Sequence, residues 1–432
     1  MQAATRPHGL FFALAALALG WAALLASGPA FATAPVVIVL SWDGVRHDYP
    51  DRAQLPALSR MAREGVRAER LIPVFPTNTF PNHVALATGT HTDRHGILDN
   101  QFRDRERGLF FYNNDANWLE AEPLWVAAER QGVRAGVFFW VGSETDWHGV
   151  GASYRKTPFD STVGEEEKVD QILAWLDLPT NARPGLIMSW WHGTDRVGHQ
   201  KGPDHPDVIT QLEDQDRHLA RLFAALDKRG AWEHTTVLVV SDHGMTKVDE
   251  TVQIEAPLAR AGIKAEVVGE STTKHVFLTD PSTIGEAETV LRSIAGVTVY
   301  RRDALPEHLR IHHPLRNGDL VLVTEPPRIF QQSQTDEAFL SGGRPLGMHG
   351  YAPEHPDMGA IFFALGHGVP RGRRIGAVRV IDVAPTVATL LGIAPPRHAE
   401  GAPIAGFGVR EESQGESYWE PEEGVSTKVP SA

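Results

Sequence analysis

Five short apolar runs, each rich in β-branched or aromatic residues, constrain this chain more than any other feature of it. Val36-Val37-Ile38-Val39-Leu40 ends in Ser41-Trp42-Asp43-Gly44, and the same grammar recurs at Val137–Trp140, Leu186–Trp190, Val237–Ser241 and Ile361–Leu365. A continuous apolar run of this length is the pattern of a strand buried on both faces. Helical periods lie between the runs. The clearest interleaves Val208, Leu212, Leu219, Leu222, Phe223 and Leu226 with charge; others span 55–64, 165–175 and 380–391. Buried strands alternating with amphipathic helices predict an α/β fold, a central and mostly parallel sheet sandwiched by helices. The stretch from about 252 to 345 reads differently, with short alternating runs such as 264–268 and a small helix near 286–294, and is expected to be an inserted cap on a main domain of 33–410.

Both ends of the chain read apart from this pattern. Arg6 precedes an apolar run from Leu10 to about Leu25, and Ala30-Phe31-Ala32 follows. The run is shorter than the roughly 20 residues of a spanning helix and is followed by a cleavage-like motif, so residues 1–32 are expected to be a signal peptide and the protein to be exported, periplasmic or secreted. Residues 411–432 are polar and acidic, the composition of a solvated tail. Cysteine is absent, which excludes disulfides and a thiol nucleophile alike. Acidic residues outnumber basic ones by 54 to 41 with no Lys/Arg block, so nothing provides the footprint of a nucleic-acid duplex. A polyanionic ligand then needs bound cations to receive it. Nothing in the sequence sets an oligomeric state.

Asp and His groups fall where the apolar runs end. Asp43 follows the first; Asp195 and His199 follow the Leu186 run at a helical i, i+4 spacing; Asp242 and His243 follow the Val237 run at once; His349 lies in a Gly-rich loop before the Ile361 run. Ligands of open α/β sheets bind at the carboxyl ends of the strands, so these six side chains are placed to converge on one rim. Six ligands suffice for two metal ions, and imidazole mixed with carboxylate suits zinc. Any single Asp/His pair arises readily by chance among 20 histidines, and His91, His95, His312 and His313, which no strand end holds, receive no role. In Pro76-Thr77-Asn78-Thr79-Phe80-Pro81-Asn82-His83, Thr79 sits where a helix begins. Cap chemistry alone favours reading it as the helix cap, although a helix N-terminus also welcomes phosphate.

Taken in order, Asp43-Gly44, the Pro76–His83 block, His95-Gly96-Ile97-Leu98-Asp99-Asn100, Asp195 through His199, Ser241–Met245, Met348–Tyr351 and Pro356-Asp357-Met358 closely resemble the nucleotide pyrophosphatase/phosphodiesterase family, a branch of the alkaline phosphatase superfamily. The resemblance runs from about Pro35 to Pro395. It implies two zinc ions, one held by Asp43, Thr79, Asp242 and His243 and the other by Asp195, His199 and His349. It also implies that Thr79 is the nucleophile of an in-line phosphoryl transfer passing through a phospho-threonyl intermediate, and that Asn100 donates to a phosphate oxygen. Sulfatases fit less well, because they need a modified Cys or Ser in a Cys/Ser-x-Pro-x-Arg setting. By the same resemblance Phe80, Trp190 and Phe159 are placed to sandwich a nucleotide base, although family members more often carry Tyr at the last position. Read on their own, Phe80 and Trp190 serve equally as core residues. The expected substrate is a nucleotide diester or anhydride, cleaved to nucleoside monophosphate. A phospholipid or glycerophosphocholine diesterase, or a phosphonate or monoester hydrolase, is the alternative within enzymes. A metal-stabilised binding protein without turnover is the alternative outside them, and the intact ligand set with Thr79 speaks against it.

Overall fold

The computed structural model describes residues 34–331 and 345–408. The expected signal peptide and acidic tail lie outside the described residues, as does the stretch 332–344 of the expected insertion.

Eight strands form the central sheet: β1 (Val36–Trp42), β2 (Val66–Ala68), β3 (Ala135–Phe138), β4 (Tyr154–Lys156), β5 (Leu186–Trp191), β6 (Thr235–Val240), β7 (Phe362–Gly366) and β8 (Arg373–Ile375). Their order is β8-β2-β7-β6-β1-β5-β3-β4. Every residue of β1, β5 and β6 is buried, which is why these strands read as unbroken apolar runs rather than as alternation. Seven strands run one way; β7 runs against both of its neighbours. Burial on both faces produces the same run in either direction, so the sequence carries no mark of this reversal. Its consequence is positional: Phe362 pairs with Val240, so β7 starts at the rim where β6 ends, and the loop before it is delivered to that rim. β3 stops at Phe138, short of the expected Trp140, because Phe139 turns to a φ of +63°.

Helices α1 (Pro56–Glu64), α4 (Glu165–Leu176) and α6 (Pro206–Arg229) pack together, and so do α2 (Thr79–Thr88), α3 (Leu124–Arg130) and α7 (Val383–Leu391). The apolar stripe of α6 is buried along its length, and Asp216 on the same helix accepts from the backbone N–H groups of Ala57 and Leu58, satisfying donors at the start of α1. α5 (Gly193–Lys201) follows β5 directly. Within the expected insertion, Ala265–Val268, Thr273–Leu278, Leu320–Thr324 and Val297–Arg301 form a separate antiparallel sheet. Its apolar face is covered by the helices Glu255–Arg260 and Ile284–Arg292, and Val276, Leu291, Leu320 and Leu322 form a core of its own.

Candidate active site

The register of the central sheet places the first group of ligands. β1 pairs in parallel with β6, Ser41 opposite Val240, so Asp43 and Asp242, each two residues further on, leave the sheet side by side. Gly44 makes the turn at a φ of +69°, and a Cβ there would lie 2.8 Å from the Asp195 Cα, so glycine is required both for the conformation and for the approach of α5. α5 then presents Asp195 and His199 on one face. The loop before β7 brings in His349, stitched to the turn ahead of α2: Thr77 Oγ1 donates to Tyr351 O at 2.9 Å, and Gly350 N donates to Thr77 O at 3.1 Å.

Among the described residues two groups stand out as able to hold a metal ion, Asp43/Asp242/His243 and Asp195/His199/His349. His243 Nε2 lies 3.1 Å from Asp242 Oδ2, 3.4 Å from Asp43 Oδ1 and 3.2 Å from Thr79 Oγ1. In the second group His199 Nε2 lies 3.3 Å from Asp195 Oδ1 and 3.1 Å from His349 Nε2, which is itself 3.5 Å from Asp195 Oδ1. A tetrahedral ion bound at about 2.0–2.2 Å holds its ligand atoms about 3.3–3.6 Å apart, close to these separations. The His243 and His349 rings, one from each group, stack 3.6 Å apart.

Tautomers point the same way. Nδ1 of His199, His243 and His349 faces the carbonyl oxygen of Gly347, Gly244 and Thr77 respectively, at 2.9, 2.9 and 3.0 Å. A carbonyl only accepts, so each Nδ1 carries the proton and each Nε2 turns a lone pair inward, the arrangement of metal-ligating imidazole. Asp43 Oδ1, Asp195 Oδ1 and Asp242 Oδ2 are buried without a hydrogen-bond partner. Lone pairs gathered around two points in this way fit a cation at each. Burial pushes the Asp43 carboxyl well above its usual range, and the charges of Asp242 and Asp195 push it further.

Thr79 is the first residue of α2, not its cap; that position belongs to Asn78, whose amide turns away to donate to Asp99 Oδ1 at 2.6 Å. Asn100 lies beside the same helix end, its Oδ1 accepting from Phe80 N at 2.8 Å.

The family model described as type I phosphodiesterase / nucleotide pyrophosphatase matches residues 37–352. The chain belongs to this family. An uncharacterised pyrophosphatase/phosphodiesterase of Schizosaccharomyces pombe is 34% identical over 349 residues, covering 76% of this chain and 71% of that one. A bis(5'-adenosyl)-triphosphatase of Xenopus laevis is 29% identical, covering 84% and 79%. Among solved structures, murine ectonucleotide pyrophosphatase/phosphodiesterase 5, as an inactive threonine-to-alanine variant in complex with AMP, superposes with a TM-score of 0.77 at 26% identity, covering 84% of this chain and 96% of that one.

Within this type I phosphodiesterase frame the aromatic residues are arranged differently from a three-ring sandwich. Phe159 and Trp190 stack on each other, centroids 4.7 Å apart and planes 22° from parallel, so no base fits between those two. Trp190 is 7% exposed and donates from Nε1 to Asp43 Oδ2 at 2.8 Å. Its indole therefore supports a candidate metal ligand as well as a ring. Phe80 is buried against Phe110 and Tyr112. Sequence reasoning passed over His83, four residues after Thr79 and so on the same helical face, whose Nδ1 lies 2.9 Å from Thr79 O and 3.3 Å from Asp242 Oδ2. Nor did any local pattern mark Tyr112 and Glu270, whose side chains meet at 3.0 Å with Tyr112 Oη 3.4 Å from Asn100 Nδ2.

Proposed function

We propose that this family member is a two-zinc phosphodiesterase that cleaves nucleotide diester and phosphoanhydride bonds at the α-phosphorus and releases nucleoside monophosphate. The observation that carries the reading is the convergence of two three-residue groups able to hold a metal ion, one wholly and one largely buried, beside a threonine hydroxyl, with Thr79 Oγ1 3.2 Å from His243 Nε2. Asp43, Asp242 and His243 would hold one zinc together with Thr79, and Asp195, His199 and His349 the other. When bound, the two ions supply positive charge that lowers the pKa of the Thr79 hydroxyl and offsets charge on the phosphate and its leaving oxygen.

Thr79 Oγ1 attacks phosphorus, the bond to the leaving oxygen breaks, and the phospho-threonyl ester is then hydrolysed by water. Thr79 opens α2, but that turn offers an anion few backbone donors, because Phe80 N is held by Asn100 Oδ1, Pro81 has no N–H and Asn82 N bonds Asn78 O at 3.2 Å. Asn100, its carbonyl oxygen fixed by Phe80 N, turns its amide group towards a phosphate oxygen. A neutral donor suits the single negative charge of a diester. The half-exposed Phe159, backed by Trp190, offers its other face to a base, where stacking contributes about 1–3 kcal/mol. Relatives named as ectonucleotide enzymes, one of them seen with AMP, support both the nucleotide substrate and export of this protein. No helix among the described residues is long and apolar enough to cross a membrane.

A hydrolysis panel on zinc-loaded protein tests the reading, comparing p-nitrophenyl thymidine monophosphate, ATP, glycerophosphocholine and p-nitrophenyl phosphate. The first two should turn over fastest, ATP giving AMP and pyrophosphate. Faster cleavage of glycerophosphocholine than of ATP would replace the nucleotide assignment with a lipid-type diesterase on the same site.

A further inference from the structure

The orientation of the Asn100 side chain follows from its partner. Phe80 N–H can only donate, so the atom that meets it at 2.8 Å is the amide oxygen, and the NH2 group must face the other way. There, one amide hydrogen is directed at Tyr112 Oη, at 3.4 Å. Tyr112 Oη in turn donates to Glu270 Oε1 at 3.0 Å. A phenol has one proton. Once that proton is committed to Glu270, the phenol oxygen turns a lone pair to Asn100, and the acceptor role of Tyr112 is set by the carboxylate behind it.

Glu270 does not belong to the central sheet. It lies in the loop between Ala265–Val268 and Thr273–Leu278, two strands of the inserted antiparallel sheet. A second carboxylate ties this loop to the site: Asp99, fully buried, accepts from Asn100 N at 2.8 Å, from Asn78 Nδ2 at 2.6 Å and from Glu270 N at 3.3 Å. The backbones of Asn100 and Glu270 are thus anchored on one side chain, and their side chains are joined through Tyr112.

We propose that Tyr112 and Glu270 are positioning residues for the reaction: they fix the Asn100 amide so that its second hydrogen is aimed at phosphate, and they make the inserted sheet a working part of the active site. The inference rests on the role of Asn100 proposed above. Neither residue touches the reacting atoms. Their contribution is pre-organisation, which acts where charge develops in the transition state and therefore on kcat more than on KM.

The test is steady-state kinetics on p-nitrophenyl thymidine monophosphate, with a melting temperature for each variant. Asn100→Ala should lower kcat/KM about a hundredfold, the size of a lost oxyanion donor. Tyr112→Phe and Glu270→Ala should each lower kcat about tenfold with KM nearly unchanged. Glu270→Gln, whose amide oxygen still accepts the phenol proton, should stay within about twofold of wild type. Added to Asn100→Ala, Tyr112→Phe should cost nothing more, because the group it positions is gone. A slow Asn100→Ala beside an unaffected Tyr112→Phe, or a full tenfold loss from Tyr112→Phe in the Asn100→Ala background, overturns the inference and leaves the proposed function standing. An Asn100→Ala enzyme as fast as wild type removes the Asn100 assignment and the inference together.

Discussion

The two candidate ligand groups are built in different ways. Asp43, Asp242 and His243 extend from neighbouring strands in the middle of the sheet, are almost wholly buried, and are braced by Trp190 Nε1 on Asp43 and by Gly44 N on Asp242 Oδ1. Asp195 and His199 ride on a nine-residue helix, and their partner His349 comes from a loop 150 residues beyond His199. That loop is held by Thr77 and by the contact of His199 Nδ1 with Gly347 O. The first group inherits its geometry from strand register, which is set by the apolar core; the second exists only where two segments outside the sheet are pressed together. The nucleophile proposed above lies on the strand-borne side, with Thr79 Oγ1 3.2 Å from His243 Nε2.

Removing one imidazole from each group gives the largest expected effects. His243→Ala and His199→Ala should each lose one zinc per chain by elemental analysis and at least about a thousandfold in kcat/KM. His243→Ala should be the slower, since it strips the group beside Thr79. Full zinc content in either variant would break the division into two groups. A smaller effect separates support of the first group from base stacking. Trp190→Phe keeps a ring against Phe159 but removes the donor to Asp43, so kcat should fall about tenfold on nucleotides and on small aryl diesters alike. A change confined to nucleotide KM would show that the indole acts through the base alone.

The smallest effect belongs to neither group. Burial depresses the His95 imidazole from 6.5 to about 3. Between those values the unfolded chain takes up a proton that the folded protein does not, so stability is lost as pH falls through this window and is unaffected by His95 above it. His95→Gln should flatten that acid limb by about 1–3 °C in melting temperature. An unchanged pH slope would remove His95 as its source.

How much of this was legible in the sequence follows from the same contrast. The first group could be read because an apolar run marks a buried strand and the residue after it marks the rim. Asp195 and His199 could be read because a helix has a fixed period. The sequence offered no sign that β7 is reversed, since direction leaves no trace in a strand buried on both faces. It supplied the aromatic types but not which ring faces which, so the stacking of Trp190 on Phe159 and its bond to Asp43 became visible only in three dimensions. His83 had a signal, four residues after Thr79, that went unused. Tyr112 and Glu270 had none: they meet across 158 residues in a contact that only the placement of the inserted sheet creates.

The most direct test of the central claim is turnover and zinc content of Thr79→Ala measured on one preparation. Three protein ligands remain in the first group and three in the second, so the account predicts two zinc ions per chain together with a loss of at least about a thousandfold in kcat/KM. Activity within about tenfold of wild type at full zinc content would contradict Thr79 as the attacking group.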